Sequence, residues 1–147
     1  MSPAKLSIGQ CATLACLLEV TAPKPGNVHR GVDFNDLTFA DFAASAVAIA
    51  PAMEKACEAG VGATVLAAVE ATNSLVNSNT NLGTVLLLAP LATVPPRTKL
   101  QIGIASVLNN LTPFDSQQVY KAIQIANPGG LEKSIRWTLP NRRRTIF

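Results

Sequence analysis

Between residues 8 and 126 the apolar side chains recur at the three- and four-residue spacing of an α-helix, and nowhere do they sustain the alternation of a strand. Helix packed on helix is the layer arrangement that this pattern allows, so the fold class is all-α, a compact multi-helix array. Leu14, Leu17 and Leu18, with Cys11 and Ala15 beside them, mark one face of a first helix that Ser7 opens and Pro23 and Pro25 end. Residues 38–59 read as a long second helix. Its start, Thr38-Phe39-Ala40-Asp41, has the form of a capping box, and Phe39, Phe42, Ala46, Ile49 and Met53 give its buried stripe. Pro51 predicts a kink or a split, and Gly60 and Gly62 close the segment. A third helix is expected over 63–76 and a fourth over 82–92. The fourth is apolar on every side, which predicts a central helix surrounded by the others. After the break at Val94-Pro95-Pro96 come two more, over 99–111 and 115–126, the last capped by Asp115 and closed by Asn127-Pro128-Gly129-Gly130.

Apolar residues make up 48% of the 147 and charged residues 14%, which demands extensive burial and excludes a disordered chain. The pI near 9.0 invites a nucleic-acid partner, but the basicity is local. Residues 1–131 carry seven Lys and Arg against eight Asp and Glu, whereas residues 132–147 carry five against one. A basic tail without a basic helical face predicts no nucleic-acid binding by the domain. The most apolar run, Leu82 to Val94, is thirteen residues and falls short of the ~20 needed to span a bilayer. No charged start followed by an apolar run and a cleavage site marks a signal peptide, so a soluble protein is expected. Cys11, Cys16 and Cys57 lack metal-ligand spacing and read as small buried apolar residues in a reducing compartment.

Two loops hold more polar chemistry than packing needs. Residues 22–36 contain the single histidine, His29, beside Arg30, together with Lys24 between two prolines, Asp33 and Asp36. Prolines stiffen this loop, and Gly26 and Gly31 permit close approach of backbone to a ligand. Lys24, His29 and Arg30 suit an anion such as a polyphosphate, and Asp33 and Asp36 suit Mg²⁺ beside it. A solvated connector whose charges keep it wet is an equal alternative. The second loop, Asn77-Ser78-Asn79-Thr80-Asn81-Leu82-Gly83-Thr84, opens the most apolar helix. One cap needs one such side chain. Three asparagines and two threonines at a helix N-terminus favour binding of a phosphate or ribose. Glu19 falls in the last turn of the first helix, where an acid opposes the helix dipole. It is either an isolated surface charge or a carboxylate facing the loop as metal ligand or base.

At these residues the chain resembles the triphosphoribosyl-dephospho-CoA synthase family. The resemblance lies in Leu18-Glu19-Val20-Thr21, Lys24-Pro25-Gly26-Asn27-Val28, Asp36-Leu37-Thr38-Phe39 with Phe42 and Ser45, Asn79-Thr80-Asn81-Leu82-Gly83, and Ala126-Asn127-Pro128-Gly129-Gly130-Leu131, in order over about 130 residues. It implies an all-α cytoplasmic enzyme. The implied reaction is attack by the ribose 2′-hydroxyl of dephospho-CoA on ribose C1 of ATP, with adenine leaving and the triphosphate retained. The product is the prosthetic-group precursor of citrate lyase and malonate decarboxylase carrier subunits. Such chemistry needs Mg²⁺, cations on the triphosphate and a base. By motif, Lys24, Gly26, Asn27 and the turn Asn79, Thr80, Asn81, Gly83, Thr84 would bind substrate phosphate. Glu19 and Asp36 would act as base or metal ligand, with Asp33 as a further metal ligand and His29 and Arg30 in support.

Two departures from the family pattern stand out. Citrate-lyase-type members carry His-Lys where this chain has Asn81-Leu82, so one phosphate-binding cation is absent. A divergent branch with a (phospho)ribosyl transfer in another cofactor pathway, such as a pterin one, is therefore an alternative. Family enzymes also run to nearly twice this length, so residues 1–131 resemble the N-terminal half of a larger helical fold. From Glu132 the composition changes, with Trp137, Pro140 and three successive arginines. That change predicts a shifted frame or truncated product, with an evolved basic tail as the alternative. An inactive helical fragment, a non-catalytic binding module and a homo-oligomer that assembles a shared site are the competing outcomes.

Overall fold

The computed structural model describes residues 5–24, 28–34, 37–76 and 78–128 as eight helices. They are α1 (Ile8–Thr21), α2 (Phe39–Ala48), α3 (Ala50–Glu54), α4 (Ala56–Ala59), α5 (Val61–Val76), α6 (Leu82–Ala92), α7 (Leu100–Asn109) and α8 (Pro113–Ala126). Among the described residues the extended structure is one isolated bridge, between His29 and Val32. None of these helices is long and apolar enough to cross a membrane.

Each start follows from a local signal. Ser7 Oγ accepts from Gln10 N at 3.3 Å while Ser7 N donates to Gln10 Oε1 at 2.9 Å, a reciprocal box that satisfies two orphan donors of α1. Thr38 and Asp41 repeat it at α2, with Thr38 N donating to Asp41 Oδ2 at 2.8 Å. The expected long second helix is three pieces. It breaks first at Ile49, just before Pro51 in the first turn of α3, and again at Lys55. Gly60, at φ = 83°, ends α4, but Gly62 belongs to α5 instead of closing the earlier segment. The cap of α8 also differs from expectation. Thr112 is the N-cap, and Asp115, three residues on, completes the box by accepting from Thr112 N at 2.9 Å. Asn127 closes α8 in the left-handed conformation at φ = 39°.

The centre of the array is α5, packed against α2, α3, α4, α6 and α8. Its small side chains let neighbours approach closely, and Val61, Gly62, Thr64, Val65, Leu66, Ala68, Val69 and Thr72 are buried over more than half of its circumference, with Ala67, Glu70 and Ser74 exposed on the remaining face. Helix α6, expected at the centre, buries Leu82, Val85, Ala89 and Ala92 on one side but leaves Leu87 74% exposed. Hydropathy measures the wish to be buried; the neighbours decide it. The face of α1 differs likewise. Ala12, Cys16 and Val20 are buried at four-residue spacing, while Leu14 and Leu18 are exposed. Of the three cysteines only Cys16 is buried; Cys11 and Cys57 are exposed. Ile49, Met53, Val65 and Val85 are the largest fully buried apolar side chains.

Two carboxylates bind helices together. Glu54 of α3 accepts from Gly9 N at 2.7 Å in the first turn of α1. Asp115 of α8 accepts from Gly62 N at 2.9 Å in the first turn of α5. Each places negative charge at a helix N-terminus, and each carboxyl is held below its ordinary range. The largest cause is a hydrogen bond from Ser7 for Glu54 and from Thr112 for Asp115, followed by the Gly9 or Gly62 amide.

Candidate functional site

Three segments meet at the end of α1. Helix α1 stops after Thr21 because Pro23 cannot extend it. The chain turns so that Lys24 Nζ comes back onto Glu19 Oε1, forming an ion pair with both side chains about two-fifths exposed. Helix α2 contributes Phe42 and, from its buried face, Ser45. The 79–84 turn arrives from α5 and is tied to α2 by the hydroxyl of Thr80, which donates to Ser45 Oγ at 2.6 Å; Ser45 Oγ donates in turn to Asp41 O at 2.7 Å. The turn is also built from within, as Asn79 Oδ1 accepts from Leu82 N at 3.2 Å and caps α6.

These segments enclose a cavity of about 210 Å³. Glu19, Thr80, Asn81, Gly83 and Thr84 supply its polar lining. Val28, Phe34, Leu37 and Phe42 supply apolar and aromatic walls. An added Cβ at Gly83 would meet nothing within 4 Å, so the first turn of α6 opens onto free space. The first-turn amides of a helix have no intrahelical acceptor and carry its positive dipole end. Asn81 is 9% exposed; its Oδ1 accepts from Thr72 Oγ1 at 3.4 Å, and its Nδ2 has no hydrogen-bond partner among the described residues. Cys16 lies near this site, and its burial, then the Glu19 charge, push its thiol up to about 11. It stays protonated at neutral pH and offers no nucleophile.

Of the residues singled out in sequence, Glu19, Thr80, Asn81, Gly83 and Thr84 thus line one cavity, and Lys24 joins through Glu19. Asn79 stands behind it, beside Ser78, Thr72 and Ala126, so the end of α8 also reaches this turn. His29 and Arg30 do not line the cavity. They form a tight turn in which Gly31 N donates to His29 Nδ1 at 3.3 Å, and Arg30 is exposed. Asp33 Oδ1 accepts from Phe39 N at 2.7 Å and so caps α2. Gly26, Asn27 and Asp36 lie outside the described residues, as do residues 129–147. No three His, Cys, Asp or Glu side chains converge among the described residues. Sequence reasoning passed over Phe34, Phe42 and Ser45 as site residues. Two larger cavities, of about 340 and 510 Å³, lie elsewhere. The first lies between α7, the α6–α7 loop and the starts of α5 and α8, around Asp115, whose carboxylate is already committed to helix starts. The second is an uncharged groove between α1 and α6.

The model of one protein family, ATP:dephospho-CoA triphosphoribosyl transferase, matches residues 5–146. The chain belongs to that family. The match confirms the resemblance drawn from Glu19, Lys24 and the asparagine-rich turn, and it continues past Leu131 into the segment set apart on composition. As a triphosphoribosyl transferase family member, the chain carries a synthase-like transferase fold in which these motifs surround one cavity. No curated protein and no solved structure matches the chain.

Proposed function

We propose that the chain transfers the triphosphoribosyl group of ATP to the 2′-hydroxyl of dephospho-CoA or a related nucleotide, in the cytoplasm, with adenine as the second product. The observation that carries this reading is the meeting of Glu19, paired with Lys24, and the 80–84 turn in one cavity of a chain matched to the family over residues 5–146. In the reaction the acceptor oxygen bonds to ribose C1 as the bond from C1 to adenine N9 breaks. The electron pair leaves with adenine, and the proton of the acceptor hydroxyl must end on the departing base. Glu19 is the group suited to take that proton and pass it on, with Lys24 orienting the carboxylate through their ion pair. Asp36, Gly26 and Asn27 belong to the same proposal by motif. Mg²⁺ would offset the charge of the triphosphate, and Asp36 is the residue that by motif would help to hold it.

The test is mass-spectrometric detection of adenine released from ATP with dephospho-CoA present. Release that requires both substrates is expected. No release at high enzyme concentration overturns the reading and leaves a non-catalytic helical protein. Release from ATP with a different nucleotide acceptor, and none with dephospho-CoA, would keep the transfer and reassign the acceptor.

A further inference from the structure

We infer that the cavity beneath the Glu19–Lys24 pair receives the purine ring of ATP and not its phosphates. The assignment rests on the transfer reaction proposed above, and it reverses the expectation, drawn from the asparagine-rich turn alone, that this turn cradles phosphate.

Size decides first. At about 210 Å³ the cavity is smaller than the roughly 300–1,000 Å³ of sites that enclose a whole drug-sized ligand. It takes one ring system and leaves the rest of a nucleoside triphosphate at its mouth. Charge decides next. A triphosphate inside would set several negative charges against the Glu19 carboxylate, and among the described residues no cation lines the cavity, Lys24 being already paired with that carboxylate. A neutral ring meets no such repulsion. The walls agree: Phe34 and Phe42 offer aromatic faces, on which any base stacks.

The polar lining matches one edge of a purine. Adenine presents an amino donor beside ring-nitrogen acceptors. Asn81 lines the same cavity, nine-tenths buried, and since Thr72 occupies its Oδ1, its free group is a donor lacking a partner among the described residues. A buried donor without an acceptor costs stability unless a ligand supplies one. The Asn81 donor suits a ring nitrogen of the base, while Glu19, its side chain about two-fifths exposed, stands toward the cavity mouth, where the ribose and the acceptor hydroxyl would lie.

The experiment is titration of the full chain, followed by NMR of the aromatic signals and by calorimetry, with adenine, hypoxanthine and inorganic tripolyphosphate as separate probes. Adenine should bind and shift the Phe34 and Phe42 resonances. Hypoxanthine, which carries N1–H where adenine has a ring-nitrogen acceptor, opposes a donor to the Asn81 donor and should bind at least about tenfold more weakly, as expected where a site's buried polar group loses its partner. Tripolyphosphate should leave both phenylalanines unmoved. Phe34→Leu, at a position 42% exposed and so safe for folding, should weaken adenine on the order of tenfold and leave tripolyphosphate binding as it was. Asn81→Leu should do the same if it folds; Phe34→Leu decides if it does not. Tripolyphosphate shifting the phenylalanine signals, or adenine binding indifferent to Phe34→Leu, overturns the assignment. Turnover that persists with adenine indifferent to these changes removes the purine pocket alone. Adenine binding here without adenine release from ATP removes the reaction and keeps the pocket.

Discussion

Glu19 stands in the last turn of α1, where the carbonyl end of the helix opposes a negative charge, and Lys24 offsets that opposition from outside the helix. If the pair serves proton transfer, Glu19→Gln keeps shape and hydrogen bonding but loses basicity. Adenine release should then fall by roughly 10²–10⁴ in kcat with little change in KM for ATP. Equal loss through KM alone would make Glu19 a binding group only. Glu19 was legible only as an open choice, since an acid that opposes a helix dipole reads also as an isolated surface charge, and Asn81 because a helix start needs fewer amides than this turn has. Phe34 and Phe42 were not, since an aromatic side chain in a sequence reads equally as core. Asp33 shows the converse: a carboxylate oxygen that suits Mg²⁺ suits an amide N–H equally well, and Phe39 N has taken it. Asp115 carries a pH prediction at the same scale. Its carboxyl is lowered in the folded chain, first by Thr112 and next by Gly62, so its contribution is fully present above the unfolded carboxyl value of about 3.9 and is lost as pH falls through the lower folded value. Urea midpoints should drop below about pH 4, and Asp115→Asn should flatten that acid limb while lowering the neutral plateau. An unchanged acid limb in the variant would remove Asp115 as its source.

Helix starts were legible at Ser7 and Thr38, where three residues of sequence contain the whole interaction, but not at the equally local box of α8, whose cap is Thr112 and not Asp115. Which face a helix buries was not. Leu14 and Leu18 outrank Ala12 and Cys16 in hydropathy, yet the array buries the smaller pair, because α2 and α3 approach α1 on that side. Gly9 and Gly62 show why small residues win. A Cβ on Gly9 would lie 2.6 Å from Ala50 O, and one on Gly62 would lie 2.5 Å from Asp115 Cα and 2.7 Å from its carbonyl oxygen. Neither neighbour is a side-chain tip that can swing aside. Gly62→Ala gains helix propensity worth about 1 kcal/mol, but it forces α8 off α5 and breaks the amide–carboxylate bond; overpacking of this kind costs roughly 1–3 kcal/mol, so net destabilisation is expected. Chemical denaturation of the variant checks this. A stabilised Gly62→Ala would mean that α5 and α8 are set farther apart.

At the scale of the molecule, the contrast between α5 and α6 matters most. Helix α5 packs against five neighbours and buries more than half of its circumference, whereas α6, the most apolar segment of the chain, leaves Leu87 74% exposed on the outside of the array. Leu91 at its far end, Leu6 before α1 and Leu100 at the start of α7 rim the groove of about 510 Å³, and Leu18 stands 61% exposed on α1. Exposed single leucines are ordinary, but a contiguous apolar surface beyond a few hundred Å² is a surface that associates. Concentration-dependent self-association is the expected behaviour of the full chain, read by sedimentation velocity over a hundredfold range of concentration. Leu87→Lys should shift that equilibrium several-fold toward the monomer while leaving the unfolding free energy within about 0.5 kcal/mol, because an exposed side chain contributes little to the fold. Val85→Ala, two residues away but fully buried, should do the reverse, costing on the order of 1–3 kcal/mol and leaving association of the folded protein unchanged. A wild-type chain that sediments as a monomer throughout would mean that water tolerates this face. Loss of stability in Leu87→Lys as large as in Val85→Ala would mean that α6 is enclosed after all, as its hydropathy alone predicts.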